Sequence, residues 1–338
     1  MIRSALRPTL VLTVLAGIAS CGGGRDGNVV RIPLGAGGVG FLPLYVMRDS
    51  GLIEEQARAR GIEDLTVEWI DLGGPAIMND ALLSGAVDFI AAGPPGFLTL
   101  WDRTRSSARV RGVAAIASLP MYLNTRAPHL ETIDDIGPSD KIAVTAVKVS
   151  IPAIIMQMYA RDRYGADSTE RFDRYTVTMT HPDGVVAMLS GAADINSHFT
   201  SPPYHQREIA DPSIRTILTT NDVLGGAATF TMLSTTTAYH EANPTVYAAV
   251  LAALEEAQRW IRENPDAAAA VLVRADAGAG FDQAELAQVL EGPDIEFTST
   301  PQNVMHYAEF MHEIGSLASE PESWQDLFFP EIHASPGS

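Results

Sequence analysis

The chain has 338 residues, 46% of them hydrophobic and 19% charged, with 28 Gly, 21 Pro and a single Cys. That composition suits a globular protein with room for two cores, and it excludes a mainly disordered chain, a collagen and a disulfide scaffold. With 23 Lys and Arg against 41 Asp and Glu the net charge is −18; no run of basic residues offsets it, so a phosphate backbone is repelled and no nucleic-acid partner is expected.

The first segment reads as an address. Arg3 and Arg7 precede an apolar run from Thr9 to Ala19 that ends at Ser20-Cys21-Gly22-Gly23-Gly24. A positive start, a short apolar core and small residues at its end make a secretory signal peptide over 1–20, too short to span a membrane comfortably. Ile18-Ala19-Ser20-Cys21 resembles the bacterial lipobox, in which the Cys is diacylated and becomes the new N-terminus. The resemblance implies lipidation at Cys21 and a lipidated tether over 21–28 that holds the protein to the bacterial membrane on its periplasmic or outer side.

From Val29 the spacing predicts alternating strands and helices. Val29 to Leu34 is a strand, followed by a Gly-rich turn and a helix through Leu44, Tyr45, Val46 and Leu52. Leu65 to Leu72 is a strand, and Gly73-Gly74-Pro75 opens a helix that ends at Ser84-Gly85. Val87 to Ala91 is a strand, Gly93-Pro94-Pro95 starts a helix through Trp101, and Val110 to Ala117 is a further strand. A second set follows: strands at Lys141–Thr145, Thr176–Met179 and Ala193–Asn196, with helices at Ser150–Arg163, Pro182–Leu189 and Pro202–Ile209. Helices between strands indicate βαβ units and a parallel sheet in each set. Beyond them come helices at Pro244–Glu263, Pro265–Val273, Asp282–Leu290 and Pro301–Ile314, with a short strand at Glu296–Thr298. Leu119–Thr125 and Thr229–Thr235 read as extended segments that cross between the two sets.

The sets echo one another. Ala81-Leu82-Leu83-Ser84-Gly85-Ala86-Val87-Asp88-Phe89 parallels Ala187-Met188-Leu189-Ser190-Gly191-Ala192-Ala193-Asp194-Ile195, and Gly93-Pro94-Pro95 parallels Ser201-Pro202-Pro203. Catalytic patterns are poor by comparison. Gly35-Ala36-Gly37-Gly38-Val39-Gly40 satisfies the dinucleotide pattern, but Asp71 lies too far along for a ribose carboxylate, and export removes the chain from free nicotinamide cofactors. No cofactor is expected. What the glycines do supply is access to backbone amides at a helix start. His240-Glu241 and His312-Glu313 lack the second His of a zinc protease, and the scattered histidines give no metal site. His198, in Asn196-Ser197-His198-Phe199-Thr200, is placed just past a strand end, where open parallel sheets bind ligands.

Several segments resemble the substrate-binding proteins of ABC transporters for alkanesulfonates, taurine, nitrate and thiamine-precursor pyrimidines. They are Phe41-Leu42-Pro43-Leu44-Tyr45-Val46 with Gly51-Leu52-Ile53-Glu54-Glu55, Asp71-Leu72-Gly73-Gly74-Pro75, Leu82 to Phe89, Ala92-Gly93-Pro94-Pro95, and Asn243-Pro244 before a helix ending Trp260-Ile261-Arg262-Glu263-Asn264-Pro265. The resemblance implies a two-lobe α/β fold of the type II periplasmic-binding-protein class, each lobe a mostly parallel sheet flanked by helices, with a ligand cleft between them. Lobe 1 is then 29–118 with 232–338, and lobe 2 is 119–231. It implies a monomeric solute receptor, not an enzyme, that hands a small polar or singly charged solute such as a sulfonate, taurine or nitrate to a permease with its ATPase. By position the ligand-binding residues are Gly40, Phe41, Gly73, Gly74, Gly93 and Pro94 in lobe 1. Ser150, His198, Phe199, Thr200 and Gly225 are those of lobe 2 and the return crossing. Phe41 and Phe199 either sandwich a planar part of the solute or belong to the core, and both readings stand. Three alternatives remain: a receptor for a neutral heterocycle such as a precursor pyrimidine, a secreted α/β oxidoreductase or hydrolase, and a scaffold or sensor lipoprotein that uses the same fold without a transporter.

Overall fold

The structure is a computed structural model that describes residues 28–338 apart from 36, 73, 74, 192, 193, 278 and 279. The signal segment 1–20, Cys21, nearly all of the tether, and Gly73 and Gly74 lie outside the described residues.

The first third of the chain begins one lobe. Strand β1 (Val29–Pro33) leads through a glycine loop and a 3-10 turn (Val39–Phe41) into α1 (Leu42–Ser50) and α2 (Leu52–Arg58). Gly51, at φ 63°, takes the left-handed cap that breaks these two helices apart. Next come β2 (Thr66–Ile70), α3 (Pro75–Ser84), β3 (Phe89–Ala92), α4 (Pro94–Thr104) and β4 (Val110–Ser118). The chain then crosses at 119–121 and builds a second lobe: β5 (Tyr122–Thr125), β6 (Ile142–Val144), α5 (Ile151–Tyr164), β7 (Thr176–Thr178), α6 (His181–Ser190), β8 (Ser197–Thr200), α7 (Tyr204–Ile209), β9 (Arg215–Thr219) and α8 (Thr220–Leu224). A second crossing at 225–228 returns it to β10 (Thr229–Thr236). After that the chain is helical, through α9 (Thr237–Ala242), α10 (Pro244–Glu263), α11 (Pro265–Ala275), α12 (Gln283–Leu290), α13 (Val304–Glu313) and α14 (Trp324–Leu327).

Both lobes have the same strand order. The second sheet runs β7-β6-β8-β5-β9. In the first lobe β1 pairs with β2, and β10 lies between β3 and β4. The Asp88 N–H donates to Arg31 O and the Arg31 N–H to Asp88 Oδ2, both at 2.9 Å. These bonds lay β1 beside β3, so the first lobe follows β2-β1-β3-β10-β4. The fourth place is taken in each sheet by the strand that arrives from a crossing, and that strand is antiparallel to its neighbours. The extended crossing segments of the sequence are therefore sheet strands, and β10 joins the first sheet from Thr229, three residues before the lobe boundary drawn from the sequence.

Helices cover the sheets through their apolar faces. In α10, Val246, Val250, Leu254, Ala257 and Ile261 recur at helical spacing and are all buried. Two expected strands differ. The strand placed at 193–196 lies at Ser197–Thr200, and the one at 296–298 is a single bridge from Glu296 to Ser118. The segment at 197–200 lacks an apolar run because its polar side chains are buried in pairs, as described below. No helix among the described residues is long and apolar enough to cross a membrane.

Candidate functional site

The carboxyl ends of the strands in the two lobes face one another along a seam. From lobe 1 comes the loop after β1, in which Gly35, Gly37 and Gly38 all have φ near +80°. The Val39 N–H donates across the seam to Pro202 O at 3.4 Å. A Cβ at Gly38 would sit in ordinary contact with that same carbonyl and the Tyr204 ring, so it is the φ of +79°, not lack of space, that favours glycine there. Gly93 caps α4, and a Cβ on it would lie 2.8 Å from Ile151 Cδ1. The N-termini of α4 and α5, one from each lobe, therefore meet. Ser150 caps α5, accepting from the Ala153 N–H and donating to Ala146 O at 2.6 Å.

A polar set bridges the lobes beside the glycine loop. The Tyr204 hydroxyl of α7 donates to Asp276 Oδ2, at the end of α11, at 2.9 Å. Burial and then Asp276 hold the Tyr204 phenol well above its ordinary range. Tyr45 of α1 is also raised, first by burial, then by Asp276 and more weakly by Asp71, while Arg48 and the Gly37 N–H oppose the shift. His181, the first residue of α6, stacks on Tyr204 with ring centroids 5.4 Å apart. Burial and then His198 push His181 down to about 3, so its imidazole is neutral.

Behind His181 lies a buried relay. His181 Nδ1 sits 3.3 Å from His198 Nε2 and 3.1 Å from Thr200 Oγ1. His198 Nδ1 donates to Glu208 Oε1 at 2.6 Å, and Asn124 Nδ2 donates to Glu208 Oε2 at 2.8 Å. Glu208 is fully buried, yet both of its oxygens are bonded. Gly184 of α6 makes room for the relay, since a Cβ there would lie 2.4 Å from the His198 ring. No group of metal-ligating side chains able to hold an ion occurs among the described residues.

Comparison with known proteins fits this architecture. The model of the NMT1-like family matches residues 38–275, well over half of the chain. The chain belongs to the NMT1-like family. The alkanesulfonate-binding protein SsuA from Xanthomonas axonopodis pv. citri, solved with MOPS bound, is similar at TM-score 0.65 and 13% identity, over 86% of this chain and 95% of that one. The periplasmic aliphatic sulphonate binding protein SsuA of Escherichia coli is similar at TM-score 0.65 and 16% identity, over 89% and 98%. The periplasmic nitrate-binding protein NrtA of Synechocystis PCC 6803 is similar at TM-score 0.66 and 14% identity, over 86% and 83%. Comparison with curated protein sequences gives no match. The fold of this NMT1-like chain is thus the two-lobed periplasmic-binding-protein fold.

The residues expected at the site fall into three groups. Gly40, Phe41 and Gly93 gather around Phe230: a Cβ at Gly40 would meet its ring, Phe41 packs edge-on to it at 6.3 Å, and Gly93 lies against its carbonyl. Pro94 is buried in the first turn of α4, beside Gly93, and Ser150 lies opposite them across the seam. His198 and Thr200 lie on one face of β8 and reach the seam through His181. Strand β8 itself carries them, and not a loop after it. Phe199 points to the other face and is fully buried in the main hydrophobic core. Gly225 caps α8 at φ 73° with open space around it and joins none of these groups. Sequence reasoning missed His181, Tyr204, Tyr45, Asp276 and Glu208. Thr180-His181-Pro182 is a readable helix start, and Tyr204 follows the Pro202-Pro203 pair, but nothing local ties either residue to Asp276, 72 positions beyond Tyr204.

Proposed function

We propose that this chain is the extracytoplasmic solute receptor of an ABC uptake transporter. It is exported, held to the membrane through lipid on Cys21, and passes a small solute from the inter-lobe cleft to a permease by lobe closure. The observation that carries this reading is the seam itself. Two rigid lobes on two short crossings bring a glycine loop, two helix N-termini and the Tyr45–Asp276–Tyr204 set to one place. The resemblance to sulfonate- and nitrate-binding proteins supports it.

The seam has two electrical poles. The N-termini of α4 and α5 each carry about half a positive charge and favour an anionic group. The Asp276 carboxylate, with the neutral His181 ring near it, favours a cationic or hydrogen-bond-donating group. A solute with both ends, an aminosulfonate of the taurine kind, matches this better than nitrate or a plain alkanesulfonate. A neutral aminopyrimidine is the second reading, favoured by the rings of Phe41, Phe230, His181 and Tyr204 along the same seam.

Thermal shift and calorimetry on the purified protein with taurine, ethanesulfonate, nitrate and 4-aminopyrimidine test both readings. A ligand at 100 times its Kd adds about 2.7 kcal/mol, a clear rise in midpoint. Taurine is expected to bind at least about tenfold tighter than ethanesulfonate, a difference of about 1.4 kcal/mol, to come back chemically unchanged, and to lose that preference in Asp276→Asn. A win for the aminopyrimidine selects the second reading, and a chemically altered solute selects an enzyme. Silence from all four on folded protein sinks both solute readings.

A further inference from the structure

A cavity of about 580 Å³ lies beside the first crossing, away from the glycine loop. Both lobes line it: Tyr122, Gln206 and Ala210 from lobe 2, and Phe281, Glu285 and Asp294 from lobe 1. Tyr122 follows directly on the crossing at 119–121 and stacks on His205 with centroids 3.7 Å apart. On the far wall Phe281 packs edge-on to Tyr204 at 5.3 Å, and Tyr204 in turn holds Asp276. The cavity and the seam therefore share one pair of rings.

We propose that this cavity is a second ligand site, for a small organic monocation with an aromatic or aliphatic body, and that its occupation is coupled to the angle between the lobes. Two observations set the ligand class. The lining includes Asp282, Glu285 and Asp294 against the single cation Arg207, so a positive charge is favoured. Tyr122 and Phe281 offer ring surfaces that hold organic cations and apolar bodies alike.

The coupling follows from where the walls are anchored. They belong to two lobes joined by a crossing at the cavity's own edge, so any change of the inter-lobe angle changes its width. A ligand that fits the present width binds this angle more tightly than others and shifts the population toward it. The coupling rests on the lobe closure of the solute reading, but the site itself does not, and the protein is expected to bind the monocation even where taurine is silent.

The probe is phenethylammonium, read by calorimetry and ligand-observed NMR on the purified protein, with 2-phenylethanol and phenylacetate as charge controls. Phenethylammonium is expected to bind at least about fivefold tighter than either control, and to lose about fivefold in Glu285→Gln and in Asp294→Asn, the scale of a half-exposed charge pair. Ala210→Trp fills the cavity and is expected to abolish binding with the circular dichroism spectrum unchanged. Tyr204→Phe keeps the ring against Phe281 but removes the bond to Asp276, and is expected to weaken binding about threefold through the freer lobes. Equal binding of all three probes, no binding to folded protein at millimolar concentration, or undiminished binding in Ala210→Trp overturns the site. Unchanged affinity in Tyr204→Phe overturns the coupling.

Discussion

In each lobe a helix ending in Ser-Gly leads to the third strand of the sheet: α3, ending at Ser84, to β3, and α6, ending at Ser190, to β8. In lobe 1 that strand is Phe89-Ile90-Ala91-Ala92, and in lobe 2 it is Ser197-His198-Phe199-Thr200; all eight residues are buried. Aligning the Pro-Pro pairs that follow places Ile90 against His198, and aligning the Ser-Gly pairs places Met78 against Gly184. Lobe 1 fills the space between helix and strand with Met78 and Ile90, in one apolar cluster. Lobe 2 puts an imidazole there, and the helix gives up its side chain to admit it. One backbone unit thus makes two different interiors: a dry one that only has to pack, and a polar one that must satisfy every donor and acceptor it buries. The polar interior belongs to the lobe that presents His181 to the seam.

The largest expected effect comes from breaking the polar filling. Glu208→Ala removes the partner of both His198 Nδ1 and Asn124 Nδ2 deep inside lobe 2. It is expected to cost about 3–5 kcal/mol, the scale for leaving half of a buried pair behind. A urea titration followed by circular dichroism would show the loss as a lower midpoint. A shift within error would mean that the relay is solvated and that lobe 2 is not filled in the way described.

Much of this was legible in the sequence, and the boundary is physical. The alternation of strands and helices, the two Ser-Gly units and the Pro-Pro starts are local patterns, and most of the long helices follow from them to within two or three residues, while the short helices α8, α9 and α14 do not. Strand β8 lies four residues beyond the strand that the sequence predicts because Ser-His-Phe-Thr shows no apolar run; its burial is stabilised by partners on α6, α7 and β5 that no local window contains. Strand order was not legible, since β5 and β10 take their places in the sheets only after the chain has crossed between the lobes. At the site, glycines and helix starts can be read from spacing. Asp276 with Tyr204, and Glu208 with His198 and Asn124, are pairings of the folded chain and leave no mark on either segment alone.

The second test exchanges volume between the lobes. Met78→Ala removes buried side chain from lobe 1, where Met78 is 2% exposed, and is expected to cost about 2–5 kcal/mol. Gly184→Ala adds a single carbon at the aligned position of lobe 2. It forces the His198 ring away from a contact of 2.4 Å, for about 1–3 kcal/mol. The same residue, alanine, is then too small in one lobe and too large in the other. Equilibrium denaturation of the two variants side by side decides it, and a neutral Gly184→Ala would show that α6 shifts freely off β8.

The smallest effect is the pH dependence that the polar lobe carries. His181 is pushed down to about 3 by burial and then by His198, and His205 to about 4 by burial, from an ordinary value of 6.5. Both values are depressed on folding, so between them and 6.5 the unfolded chain binds more protons than the folded one. Their contribution is fully present above about pH 6.5 and is lost progressively as the pH falls toward 4 and then 3. Each proton so excluded is worth at most about 1.4 kcal/mol per pH unit, and His181, which is partly exposed, gives less than that ceiling. Between pH 6.5 and 5 most carboxylates stay ionised, so the histidines dominate a thermal-midpoint series over that range. The midpoint is expected to fall steadily there, and amide exchange on α6 and α7 to rise before exchange on α3 and α4. His181→Gln is expected to flatten the slope without lowering the midpoint at pH 5. A flat series in the unaltered protein would mean that neither ring is held neutral, and the contrast between the dry lobe and the polar one would lose its electrostatic half.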